Sequence, residues 1–284
     1  MKTLSVGFIM LFLCYACKPG NGSSDGNSVA LTAVGDSSAV VQADSLVMDS
    51  AAKAAIPKNI DETFDDFVYT YASDKRFQLY RTHFPLPYVK DTVRVEIKRS
   101  EWIHDALYTN LEFYNILFDK EEDMEIEKDT RTDKVNVSWL FLDKKEARHY
   151  YFERNKGYWM LENITQKSYE GGPNEAFLSF FYEFCNDSVF QREHIAPSLK
   201  FVTNDPDDDF NVIEAFISVD QWFAFRPSLP KNKMTNIDYG QSYSAKSRHK
   251  IVTFRGIGTG YSNTLFFTRD GNSWKLTEYE DLSN

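Results

Sequence analysis

Between Trp222 and Gly256 the chain reads WFAFRPSLPKNKMTNIDYGQSYSAKSRHKIVTFRG, which is aromatic, then proline-rich, then polar. Within it Trp222, Arg226, Asn236, Asp238, Tyr239, Gln241 and Arg255 offer what a ligand cleft uses. They combine flat apolar faces, amide and hydroxyl groups that orient a guest, and guanidinium charges that hold an anion. The loop inside this stretch runs to about 20 residues, longer than a connection ordinarily needs, and long loops on a rigid scaffold commonly carry binding. The same residues would equally serve to cover and lock an interface between two halves of the chain. Both readings stand at this point.

Other candidates point away from chemistry. The run Asp205-Pro206-Asp207-Asp208-Asp209 begins like a calcium loop, but Phe210 and Phe216 stand where such a loop has glycine and glutamate. It reads as a solvated acidic turn. His83, His104, His149, His194 and His249 show no metal-ligand spacing. No glycine-rich phosphate loop, HExxH or GxSxG pattern occurs. Cys185 borders an apolar stripe and reads as a buried structural thiol. No catalytic residue, metal site or cofactor is read from these patterns.

The elements that would position a site are written twice. Phe64, Phe67, Val68 and Tyr71 form one stripe of an amphipathic helix, and Phe177, Phe180, Phe181 and Phe184 repeat it 113 residues later. Asp74 and Asp187, Phe77 and Phe190, Gln78 and Gln191 continue the match. Asp74 and Asp187 read as caps of a second short helix, since features kept in both copies are those the fold itself requires. The copies end alike: HYYFERNKGYWMLENI (149–164) parallels TLFFTRDGNSWKLTEY (264–279), with Trp159 and Trp274 in register at an offset of 115. By this alignment the stretch 222–256 stands outside the repeat.

Each copy places helical stripes first and strands in its second half. Val135, Val137, Trp139 and Phe141 alternate as in a half-buried strand. Asn155-Lys156-Gly157 and Asp270-Gly271-Asn272 mark the turns of closing hairpins. The fold class is α+β, two domains of about 110 residues each. Order, size and the Trp-bearing terminal hairpin resemble the cone-shaped nuclear transport factor 2-like fold. FQLYRTHFPL (77–86) and MTNIDYGQ (234–241) are similar to phrases of a family of Bacteroidetes lipoproteins on that fold. The resemblance implies a curved antiparallel sheet wrapped on N-terminal helices, with room for a pocket. It also implies the outer membrane as the site of attachment.

The N-terminus agrees. Lys2, the apolar run Val6–Leu13 and Ala16-Cys17 resemble a bacterial lipoprotein signal, with cleavage after residue 16 and lipid on Cys17. Residues 17–58 hold no aromatic side chain and read as a flexible tether of roughly 35 Å reach. The first domain is then read at 59–169 and the second at 170–284. A formal net charge of −10 without a basic stripe argues against nucleic acid. The function expected is non-enzymatic: a lipid-anchored envelope protein that binds an unknown small molecule or envelope protein. It would face the periplasm, with the cell surface as the alternative. The competing readings are an enzyme of isomerase, dehydratase or hydrolase type with a pocket in one cone, and a purely structural scaffold.

Overall fold

The first stripe becomes α1 (Phe64–Ser73), whose Phe64, Phe67, Val68 and Tyr71 are all buried. Its counterpart α3 (Glu175–Asn186) buries Phe177, Phe180, Phe181 and Phe184. Each is followed by a short helix, α2 (Lys75–Tyr80) and α4 (Ser188–Glu193). The two aspartates begin them as expected: Asp74 Oδ1 accepts from the Arg76 and Phe77 amides, and Asp187 Oδ1 from those of Val189 and Phe190. Loss of such a cap leaves first-turn donors without a partner. Asp187→Ala is accordingly expected to cost about 1 kcal/mol in a urea titration. The computed structural model describes residues 59–129 and 131–284. The signal read over 1–16, Cys17 and the tether lie outside them. No helix among the described residues is long and apolar enough to cross a membrane.

Strands start earlier in each copy than periodicity suggested. The first copy supplies β1 (Leu86–Lys90), β2 (Val93–Ile97), β3 (Phe113–Phe118), β4 (Lys134–Phe141), β5 (Glu146–Asn155) and β6 (Tyr158–Ser168). The second supplies β7 (Ile195–Asp205), β8 (Asp208–Ile217), helix α5 (Val219–Phe225), β9 (Lys233–Asp238), β10 (His249–Gly256), β11 (Ser262–Asp270) and β12 (Ser273–Asp281). The closing hairpins turn over two residues each, with Lys156, Gly157 and Gly271 at positive φ. The acidic run forms the β7–β8 turn, where Asp205 Oδ1 accepts from the Asp207 amide at 2.9 Å.

Two six-stranded sheets result, ordered β2-β1-β6-β5-β4-β9 and β3-β10-β11-β12-β7-β8. Both carry a bulge at the same place, between Tyr151/Phe152 in one and Phe266/Phe267 in the other. A bulge bends the strand and raises its twist, so each sheet curls around its own helix. The packing beneath is nearly the same twice. Phe64 meets Phe152 and Trp159 edge-on, both at 5.2 Å, and Phe177 meets Phe267 and Trp274 edge-on, both at 5.4 Å.

The sheets do not follow the copies strand for strand. β9, from the second copy, pairs antiparallel with β4 of the first, and β3, from the first, pairs antiparallel with β10 of the second. The two exchanged strands then meet along their outer sides without a backbone ladder. The Asn115 amide donates to Thr235 Oγ1 at 2.6 Å, and Thr235 Oγ1 donates back to the Asn115 carbonyl at 3.1 Å. The Leu117 amide donates to Asn236 Oδ1 at 2.8 Å, while Gln241 Nε2 and the Tyr243 hydroxyl donate to the Leu117 carbonyl. Side chains thus satisfy a strand edge that would otherwise leave backbone groups unpaired or open to another chain.

A half-buried carboxylate crosses the same seam. The Tyr239 hydroxyl donates to Asp65 Oδ1 of α1 at 2.5 Å. Burial raises the Asp65 pKa above its ordinary value, against the lowering effect of the Tyr239 bond and with a smaller raising effect from Asp66. A raised folded pKa means the folded chain holds this proton more tightly than the unfolded one. The stability it contributes is present at acid pH and is lost as pH rises through the folded pKa. Melting temperatures of wild type and Asp65→Asn, followed from acid to neutral pH, are expected to diverge: wild type falls relative to the variant as pH rises. Parallel curves would sink the prediction.

Candidate functional site

Gln78, on α2, is fully buried and uses both ends of its amide. Nε2 donates to the carbonyls of Tyr71 and Asp105, and Oε1 accepts from Trp102 Nε1 and the Asp105 amide, all between 2.8 and 3.0 Å. Gln78 therefore fixes the segment between β2 and β3 across the end of the first cone. Asp105, held there, accepts the Tyr150 hydroxyl at 2.5 Å. Tyr150 lies on β5, and Arg148, two residues before it, stands beside it. Arg148 Nε donates to Gln166 Oε1 at 3.0 Å, the Tyr88 hydroxyl donates to the same oxygen at 3.0 Å, and Gln166 Nε2 donates to Glu146 at 3.0 Å. The strand period of two explains the convergence: Glu146, Arg148 and Tyr150 share one face of β5, with Gln166 of β6 directly opposite Arg148.

One member of this polar set, Tyr88, reaches an open recess. That recess, of about 450 Å³, is lined also by Lys90, Asp91, Thr92, Val93 and Val95. Val93 and Val95, paired opposite Lys90 and Tyr88, are 63% and 47% exposed. Across the sheet from Arg148 lies Trp139, with the Lys233 ammonium over its ring at 4.5 Å. Lys233 belongs to the exchanged strand β9, so the second copy completes the first copy's mouth. Electrostatics couple the centre. Burial, then the charge and hydrogen bond of Asp105, push the Tyr150 hydroxyl well above the ordinary tyrosine range. Burial disfavours the Arg148 charge, but Tyr150 and then Tyr88 and Asp105 hold its pKa up. The arrangement supplies a guanidinium, two phenols and two carboxylates, with an apolar lip at Val93 and Val95 and the Trp139 indole beside Arg148. That combination orients a small polar or anionic guest by hydrogen bonds and excludes water over its apolar part.

The second cone keeps the scaffold and replaces this set with a smaller one, in which Asn263 and Asp281 stand at the positions of Arg148 and Gln166. Gln191 repeats Gln78, donating to the Phe184 carbonyl at 2.7 Å and accepting from Trp222 Nε1 at 3.4 Å. Trp222 is therefore the counterpart of Trp102, 120 residues on. That equivalence corrects the view that the stretch from Trp222 stands outside the repeat: an insertion shifts its offset beyond the 113 and 115 seen elsewhere. At the offsets of the repeat, Tyr88, Asp105, Arg148 and Tyr150 become Phe201, Phe225, Asn263 and Leu265. Phe201 packs on Tyr279 at 5.3 Å, whose hydroxyl donates to Asn263 at 2.6 Å.

The residues first singled out fall into separate groups. Trp222 is fully buried in the second core, and Arg226 donates to Gln191 Oε1 beside it, its guanidinium over the Phe223 ring at 4.6 Å. Asn236, Tyr239 and Gln241 are buried at the seam, bonded to β3 and α1 as described. Asp238 closes a local turn by accepting from the Gly240 amide at 2.9 Å, and burial raises its pKa. Arg255, on β10, donates to Ser262 Oγ at 2.5 Å. No shared partner joins these groups, and the seam trio acts as the lock between halves. Cys185 lies against the second core, where burial pushes its thiol well up. Sequence reading missed Tyr88, Asp105, Arg148, Tyr150 and Gln166. The available signal was contrast between copies at three positions, where Tyr88, Asp105 and Tyr150 match Phe201, Phe225 and Leu265, while Arg148 and Gln166 match polar Asn263 and Asp281.

Comparison with known proteins agrees with the geometry. The model of a family described as a domain of unknown function, DUF4348, matches residues 43–281. A crystal structure of an NTF2-like protein from Bacteroides fragilis superposes with a TM-score of 0.77 at 46% identity, covering 81% of this chain and all of that one. The α+β architecture of two NTF2-like cones is thereby shared with a solved structure. No curated protein matches the chain.

Proposed function

The chain belongs to the DUF4348 family, and we propose that it is a non-enzymatic binding protein that takes a small polar or anionic molecule at the mouth of its first cone. One observation carries the proposal: the duplicated scaffold is nearly identical in its cores, yet only the first copy links a guanidinium, Arg148, through Gln166 to Tyr88, which lines an open recess, with the Tyr150–Asp105 pair beside it. A fold needs its helices and cores in both copies. It does not need a guanidinium and a carboxylate in one. The proposal places the protein in the cell envelope, lipidated on Cys17 and carried on the tether of residues 17–58, on the periplasmic side of the outer membrane. The lipoprotein-like signal and the aromatic-free composition that follows it support that location. Its partners are then the membrane, through the lipid, and the bound molecule.

The binding test is a small-molecule library screened against the full chain by ligand-detected NMR. Hits are expected to lose at least tenfold in affinity, about 1.4 kcal/mol, in Arg148→Gln, and to keep it in the second-cone variant Asn263→Ala. Hits indifferent to Arg148 would place binding elsewhere and overturn the site. Loss of radiolabelled palmitate incorporation in Cys17→Ser tests the anchor. A second reading, an enzyme of isomerase, dehydratase or hydrolase type, is favoured by one contact, the hydroxyl of Tyr150 on Asp105 at 2.5 Å. Such a pair can pass a proton to a bound substrate. Chemical turnover of any hit, lost in Tyr150→Phe, would decide for it.

A further inference from the structure

Three side chains from three elements meet at the inner end of the seam. Asp119 follows β3, Lys250 is the second residue of β10, and Asn174 stands immediately before α3. The Lys250 ammonium nitrogen donates to Asp119 Oδ1 and, at 2.5 Å, to Asn174 Oδ1. The Lys250 side chain is 1% exposed and that of Asp119 4%. Asp119 is held in place by the Ser244 amide, which donates to its other oxygen at 2.8 Å, and the Tyr243 ring lies 5.9 Å from the lysine nitrogen. Asn174 is set apart from the other helix starts. Thr63, Asp74, Asp187 and Ser218 each cap their helix through the side chain, whereas the Asn174 side chain makes no cap bond and turns to Lys250.

We propose that Lys250 and Asn174 form an intramolecular isopeptide bond with Asp119 as the proton carrier. A buried amine that donates at once to a carboxylate and to a primary carboxamide brings together the parts such a condensation needs. Burial also presses the Lys250 pKa down against the raising effect of Asp119, favouring the neutral amine. The ammonium gives a proton to Asp119, and the freed Nζ attacks Asn174 Cγ. Collapse of the tetrahedral adduct breaks the Cγ–Nδ2 bond. Nδ2 keeps its two protons, receives one from Nζ through the Asp119 carboxyl, and leaves as ammonia; the proton first taken by Asp119 departs with it as ammonium. Nothing is oxidised or reduced and no further reactant is consumed. Low dielectric and enforced contact supply the drive, as for other positioned nucleophiles. The bond would tie the start of α3 to β10, a covalent staple in a chain whose described residues hold one cysteine, Cys185.

Tryptic digestion of the full chain with mass spectrometry tests this directly. The expected product is a branched peptide joining the segment around Asn174 to Lys250, lighter than the two parts by one ammonia, with no cleavage after Lys250. Recovery of both segments as separate peptides of encoded mass, with cleavage after Lys250, overturns the proposal without any variant. Asn174→Ala, at a half-buried helix start, is expected to fold and to lack the branched product. Asp119→Ala retaining the branched product would remove Asp119 from the step.

Discussion

Gln78→Leu is expected to lower the unfolding free energy by about 3–4 kcal/mol, read from denaturant midpoints. Leucine fills the same space but abandons four partners: the carbonyls of Tyr71 and Asp105, the Asp105 amide and Trp102 Nε1. Removing one partner of a buried hydrogen bond leaves the other desolvated, at about 1–3 kcal/mol per group before relaxation. Some of these groups regain water because Trp102 and Asp105 are only half-buried, which brings the sum toward the lower end. The matched change Gln191→Leu is expected to cost less, because Gln191 has three partners where Gln78 has four, and one of them, Arg226, is exposed and can return to solvent. A second readout follows from the role of Gln78 in holding Asp105: binding at the first mouth should weaken in Gln78→Leu and persist in Gln191→Leu. Equal destabilisation by the two changes would contradict the account of the first site as the network with more partners.

The Asp119–Lys250 pair supplies the second large effect. Asp119→Ala leaves an ammonium fully buried beside an aromatic ring and strips the Ser244 amide of its acceptor. Breaking one side of a buried ion pair typically costs about 3–5 kcal/mol, because the stranded charge cannot be hydrated. The double variant Asp119→Leu with Lys250→Met is expected to recover half or more of that loss, since no charge is then stranded. These values refer to the unlinked chain, in which Lys250 keeps its ammonium; loss of the proposed Asn174–Lys250 link would be common to Asp119→Ala and to the double variant. Chemical unfolding of wild type, single and double variants measures the cycle. A double variant as unstable as Asp119→Ala would show that the site depends on the pair's shape or hydrogen bonds rather than on charge.

Both effects depend on places where distant segments meet, and those are the places a linear reading reached least. The helices α1 and α3 were legible because their apolar residues recur at three and four positions, a pattern that has meaning within a single turn of chain. The caps at Asp74 and Asp187 and the tight turns at Lys156-Gly157 and Gly271-Asn272 were legible for the same reason: each is settled within about four residues. The duplication itself was visible because local structure repeated it.

The exchange of β3 and β9 was not visible, since either strand could pair with its own copy or the other by the same backbone hydrogen bonds. Which pairing forms depends on side chains such as Thr235, Asn236 and Gln241 meeting the free edge of β3, about 120 positions away in the chain. The candidate site was hidden for a related reason. Tyr88, Asp105, Arg148 and Gln166 are ordinary polar residues spread over some 80 positions, and no spacing among them announces a purpose. The stretch from Trp222 looked like a binding loop because it was polar and aromatic. In three dimensions much of that polarity closes a seam, and the polar set proposed to bind lies in the other copy. The sequence by itself determined the helices, caps, hairpins and their duplication, because short-range sterics and hydrogen bonds decide them. Strand exchange, the seam and the mouth were decided only by the tertiary structure, because long-range pairing brings their parts together.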